Sequence, residues 1–135
     1  MLTGKLIHPE LLYALSRCGH GDKVLIADGN YPLAAKTGDA EKVFLGLAPG
    51  LPTVTQVLEA LLSVCSFEKM EVMQPEDGST PEIFGEFERL LPAAAMEKLD
   101  RWVFYSACGE KCLRVAVSTG EGRTFANVLL TVGCA

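Results

Sequence analysis

The chain is 135 residues long, 49% hydrophobic and only 21% charged, with a formal charge of -5. That length fits one domain around one core, and the apolar fraction excludes intrinsic disorder. The acidic balance and the lack of a Lys/Arg cluster exclude a protein that grips nucleic acid by neutralising phosphates.

Pro9 opens a helix over Glu10 to Cys18, with Leu11, Leu12 and Leu15 on one face and Gly19 past its end. His8 before it reads as a helix N-terminal residue without chemistry. Lys23–Ala27 is a short apolar run with β-branched residues, hence a buried strand ending at Asp28. Gly29 to Pro32 is turn chemistry. Lys42–Leu47 is a further strand, closed by Pro49-Gly50. From Thr53 to Cys65 apolar residues recur at helical spacing (Val54, Val57, Leu58, Leu61, Leu62). Lys69–Met73 is strand-like, and Gln74–Ser79 a polar loop. Pro81–Leu91 is an acidic amphipathic helix, with Ile83, Phe84, Phe87, Leu90 and Leu91 facing inward. Asp100–Ser106, Leu113–Thr119 and Asn127–Val132 read as strands. Interleaved strands and helices predict a single α/β domain over residues 1–135, three layers deep, with a sheet covered by helices on both faces.

Met1 to Pro9 lacks the continuous apolar run and small-residue cleavage site of a secretory signal. The apolar stretches near Val57–Val64 and Arg114–Val117 are too short to cross a bilayer. Five cysteines (Cys18, Cys65, Cys108, Cys112, Cys134) form an odd set with no regular framework, which points to reduced thiols and a cytoplasmic protein. Cys108 and Cys112 have no second pair and no histidine nearby, so packing explains them better than zinc.

The segment Gly19-His20-Gly21-Asp22 lies between a helix end and a strand start. A histidine titrates near neutrality and both gives and takes a proton. Asp28 follows at the carboxyl end of the next strand, where α/β sheets bind ligands. It is expected to lie near His20, fix its tautomer and bind substrate hydroxyls; a turn cap over Asn30 is the plain alternative. Thr119-Gly120-Glu121-Gly122 is a weak phosphate-loop match, because a strand follows where a helix is needed.

With these residues in place, the chain resembles the ribose pyranase/fucose mutarotase family. Gly19 to Asp22, Ala27-Asp28 and Pro32 resemble its N-terminal signature, and Pro9-Glu10-Leu11-Leu12 its first helix. Arg101 to Tyr105 looks like its R-F-x-F-Y strand. Thr119-Gly120-Glu121, followed by Phe125 to Leu130, looks like its T-G-E-x-x-x-Y-[GA]-N-[IVL]-[IL]-L ending. The resemblance implies an enzyme that interconverts cyclic forms of free aldoses without cofactor or metal. It implies His20 as proton donor and Asp28 as a ligand of sugar hydroxyls. Glu68, Arg101, Tyr105, Phe125, Ala126 and Asn127 are implied as sugar-binding residues. Arginine at position 101 and Tyr105 favour the fucose branch over the ribose branch. The resemblance also implies a homo-oligomer, ring-like and of decamer type or smaller, with the pocket near subunit contacts. The high hydropathy (mean +0.24) agrees with self-association, and Val128–Val132 is the expected contact edge. Three departures stand out. Phe125 replaces the usual tyrosine, Glu68 is one methylene longer than aspartate, and Ser106–Leu113 is slightly extended.

Overall fold

In β1 (Lys23–Ala27), Val24 and Ile26 face one side and Leu25 and Ala27 the other, and all four are fully buried. A strand buried on both faces belongs at the centre of a sheet. The computed structural model, which describes residues 1–135, places it there. The chain runs α1 (Pro9–Ser16), β1, α2 (Leu33–Lys36), β2 (Glu41–Phe44), α3 (Val54–Leu62) and β3 (Phe67–Met73). It continues through α4 (Glu82–Leu90), β4 (Ala95–Leu99), α5 (Arg101–Cys108), β5 (Leu113–Ser118) and β6 (Val128–Val132). The six-stranded sheet has the order β2-β5-β1-β6-β3-β4. It is mixed: β6 runs antiparallel between β1 and β3, and the remaining pairs are parallel.

Helices cover both faces, as the interleaving predicts. Val24, Ile26, Val72, Val115, Val117, Val128 and Leu130 pack under α1, α3 and α4. Leu25, Ala27, Met73, Ala116 and Leu129 pack under α2 and α5. Local chemistry sets the helix starts. His8 Nδ1 accepts the Leu11 N–H at the head of α1. Thr53 and Gln56 exchange bonds in a capping box at α3.

Two expectations change. Asp100–Ser106 is not a strand: Asp100 caps a helix, its carboxylate accepting from the N–H groups of Trp102 (2.9 Å) and Val103 (3.0 Å). The aromatic and β-branched run Trp102-Val103-Phe104-Tyr105 imitates a strand. The side that matters recurs every four residues, with Phe104 and Cys108 fully buried and Trp102 and Val103 exposed. Val128–Val132 is not a contact edge either, because β6 is a central strand and Val128, Leu129 and Leu130 are core within one chain. The short helix α2 and the edge strand β4, whose Ala-Met-Glu-Lys-Leu carries no alternating apolar face, escape sequence reading.

The cap makes α5 testable. Asp100→Ala removes the one oxygen that accepts both N–H groups and is expected to cost about 1 kcal/mol, read as a lower urea midpoint at unchanged slope.

Candidate active site

The two ends of β1 carry different chemistry. At the carboxyl end Asp28 is almost wholly buried, 2% exposed. Its Oδ1 accepts from the Asn30 N–H (2.9 Å), and its Oδ2 accepts from the Ala126 N–H and from Asn127 Nδ2 (3.2 Å each). Asn127 Oδ1 in turn accepts the Asp28 N–H at 2.8 Å. Burial pushes the Asp28 carboxyl above the ordinary aspartate value, and the bonds from Asn30, Ala126, Tyr31 and Asn127 offset that only in part.

Around Asp28 lies a cavity of about 240 Å³, walled by Asn30, Tyr31, Met73, Arg101, Tyr105, Thr124, Phe125 and Asn127. Helix α5 supplies Arg101 and, four residues on, Tyr105 from the same face. The Arg101 guanidinium carbon stands 5.9 Å from the centre of the Phe125 ring. Tyr105 packs edge-on against Tyr31 with ring centres 5.5 Å apart. The mixture suits a small polyhydroxylated ring. A buried carboxylate and an amide orient hydroxyls, a guanidinium donates, and aromatic faces cover C–H surface.

At the amino end of β1, His20 Nε2 lies 3.0 and 3.2 Å from the two oxygens of Glu68, at the start of β3. Both side chains are open to solvent, 58% and 49% exposed. The expected His20–Asp28 pairing is therefore wrong within one chain: β1, about 16 Å of extended backbone at about 3.3 Å per residue, separates them. The carboxylate that orients His20 is Glu68. With Nε2 donating to Glu68, Nδ1 keeps a free lone pair.

The structure thus brings Asp28, Arg101, Tyr105, Phe125 and Asn127 to one cavity. It sets Ala126 behind the wall, where the backbone N–H is the working group, and leaves His20 and Glu68 at the far end. Sequence reasoning missed Asn30, Tyr31, Met73 and Thr124 as lining residues. Asn30 and Tyr31 had a signal, since they follow Asp28 in the turn. Thr119-Gly-Glu-Gly joins strand to strand without a following helix, as expected. Gly120 is required there, because a Cβ would stand 2.4 Å from the carbonyl oxygens of Ala48 and Leu51. No three His, Cys, Asp or Glu side chains group as a metal site, the five cysteines are free, and no helix is long and apolar enough to cross a membrane.

Fold and cavity together define a small α/β protein of the monosaccharide-handling kind. The RbsD / FucU transport protein family matches residues 1–135, and the chain belongs to it. Human fucose mutarotase is 35% identical over 95% of this chain and 89% of its own length. The D-ribose pyranase of Chloroflexus aggregans is 27% identical over 95% of this chain and 94% of its own. Bacillus subtilis RbsD, solved with D-ribose, superposes with a TM-score of 0.87 at 27% identity, covering 100% of this chain and 99% of that one. The fucose mutarotase of Streptococcus pneumoniae, solved with L-fucose, gives 0.80 at 25% identity over 96% and 94%.

The Asp28 environment carries a pH prediction. The folded chain holds this proton more tightly than the unfolded one. Ionisation of Asp28 therefore costs stability: the cost is absent below the ordinary aspartate pKa, grows as pH rises, and is complete above the folded value. Carbon-13 titration of the carboxyl is expected to place its pKa above the ordinary range, and Asn127→Ala, which removes a bond to the carboxylate, is expected to raise it further.

Proposed function

We propose that this chain is an aldose mutarotase that interconverts the anomers of a free pyranose, L-fucose or a close relative, in a site shared by two copies of the chain. One observation carries the reading: a cavity suited to a sugar contains no histidine, while the exposed His20–Glu68 pair stands at the other end of the sheet, outside that cavity. A second copy that sets its His20 at the mouth of the first copy's cavity joins the two halves. This is the role we assign to a cytoplasmic homo-oligomer.

The reaction asks little of the protein. The bond from the anomeric carbon to the ring oxygen breaks, the ring oxygen gains a proton, and the anomeric hydroxyl loses one. The open aldehyde turns about its adjacent carbon–carbon bond and closes on its other face, returning both protons. Nothing is oxidised and no adduct with the protein forms. His20 of one copy moves the proton, and Glu68 beside it stabilises the charged imidazolium. Asp28, Asn127 and Arg101 of the other copy hold the hydroxyls, and the rings of Phe125 and Tyr105 fix the sugar's plane. A positioned acid–base group contributes roughly 10²–10⁴-fold.

Arg101 and Tyr105 support the fucose-type reading over the exchange of pyranose and furanose ribose, as does the 35% identity to human fucose mutarotase. The structural likeness to an RbsD solved with D-ribose keeps ribose as the competing substrate. A sugar-binding oligomer without catalysis is the third reading, and it predicts binding without exchange.

Saturation-transfer NMR separates these readings. L-Fucose or D-galactose anomers are expected to exchange faster than D-ribose ring forms; the reverse order overturns the fucose assignment. His20→Ala is expected to slow exchange about 10²-fold or more with the fold intact. His20→Ala and Asp28→Ala proteins, each expected to be impaired alone, are expected to regain exchange when unfolded together and reassembled, because one copy contributes the cavity and the other the histidine. Mixtures as inactive as their parts refute the shared site.

The missing phenol at position 125 gives a separate test. Phe125→Tyr restores a hydroxyl beside Arg101 and is expected to preserve or raise the exchange rate. A loss of activity there shows that the cavity has been rebuilt around an apolar ring.

A further inference from the structure

Phe125 is the one residue other than glycine with positive φ, at 61°. In that region a Cβ crowds the neighbouring carbonyl, and the conformation persists only when both flanks are held. The C-terminal flank is held by the bonds of Ala126 and Asn127 to Asp28.

The N-terminal flank is held by Arg123. Its Nε and Nη2 donate to the two oxygens of Glu121 at 3.1 Å each, and its remaining terminal nitrogen pairs with Glu86 on α4. Glu121 is itself buried, 4% exposed. Its carboxylate also accepts the N–H of Arg123 (3.2 Å) and that of Val54 at the start of α3 (3.4 Å). Burial alone would raise the Glu121 carboxyl, but Arg123 outweighs it and holds the group below the ordinary glutamate value. The guanidinium is thus committed to two carboxylates on two elements, in a planar geometry that lysine cannot reproduce.

Phe125 also has somewhere else to go. A second cavity, of about 460 Å³, adjoins the first, and Thr124 and Phe125 line both. Pro75, Asp77, Glu82 and Arg123 form part of its far side. That second cavity offers open volume beside the Phe125 ring.

We propose that Arg123, clamped between Glu121 and Glu86, is a positioning residue that keeps Phe125 upright as the partition between the two cavities and so sets the size of the sugar cavity. The proposal rests on that cavity binding sugar, and the test has one arm independent of any sugar.

The crystal structure of Arg123→Ala is expected to show Phe125 out of the positive-φ region with its ring in the second cavity. L-Fucose is expected to bind about fivefold or more weakly by titration, and KM to rise by a similar factor with a smaller change in kcat. Glu86→Gln is expected to act in the same direction with a smaller effect, and Arg123→Lys to recover part of the loss. In a Phe125→Ala background, Arg123→Ala is expected to add nothing to KM, because the ring it positions is gone. A folded Arg123→Ala protein with Phe125 still at positive φ overturns the proposal. So do additive effects in the double variant, and so does a fall in thermal midpoint with unchanged KM. A wild-type protein that neither binds nor exchanges L-fucose sinks the mutarotase reading instead, and the conformation of Phe125 still decides this one.

Discussion

The reciprocal bond between Asp28 and Asn127 is the constraint on which the binding end of the molecule depends. Two residues 99 positions apart exchange backbone and side-chain bonds, and both are nearly excluded from water. A buried carboxylate survives only with partners, and these come from the turn after β1 and the entry to β6. The same bonds that satisfy it also join the two strand ends, orient the Ala126 N–H and fix one side of the turn at Phe125. Packing, satisfaction of a buried charge and the shape of the cavity are therefore one set of contacts.

Much of this organisation is visible in the amino acids, and the failures have identifiable causes. The short unbroken apolar run Val24–Ala27 and the helical spacing in Val54–Leu61 identify their elements, because burial there covers both faces of the strand and one face of the helix without interruption. The run after Asp100 misleads because its residue types prefer strands while its burial repeats every four residues, and the cap that decides the matter is a single carboxylate. Asp28, Arg101, Tyr105, Phe125 and Asn127, which line one cavity, are singled out in the sequence by their likeness to a family pattern, and Asp28 also by its place at the carboxyl end of a strand. The separation of His20 from Asp28 is not. Closeness in sequence says nothing about the two ends of an extended strand. Met73 enters the cavity only through the order of the strands, which no local pattern encodes, whereas Thr124 enters it as the chain neighbour of Phe125.

The division between the ends of β1 also sorts the surface chemistry. The cavity end is closed by buried bonds and aromatic packing, and its polar groups are held rigidly by the backbone. The histidine end is open, and its polar pair hangs from two loop-to-strand junctions. Rigid hydroxyl recognition and an accessible proton carrier make opposite demands on solvent exposure. Opposite ends of one sheet give each group its own environment.

The position of β6 has a consequence for how the chain is made. It lies between β1 and β3 and supplies the antiparallel partner of both, yet it is the last of the strands in chain order. During synthesis, β1 is available long before either of its neighbours, β5 or β6, leaves the ribosome, and both of its edges wait for the last two strands. Pairing across roughly a hundred residues is slow to nucleate and exposes apolar strand edges in the interval. Until β6 arrives, the sheet has an open slot in its middle, one strand wide, between Lys23–Ala27 of β1 and Phe67–Met73 of β3. That slot is where chaperones, or the β6 segment of another chain, have their opportunity.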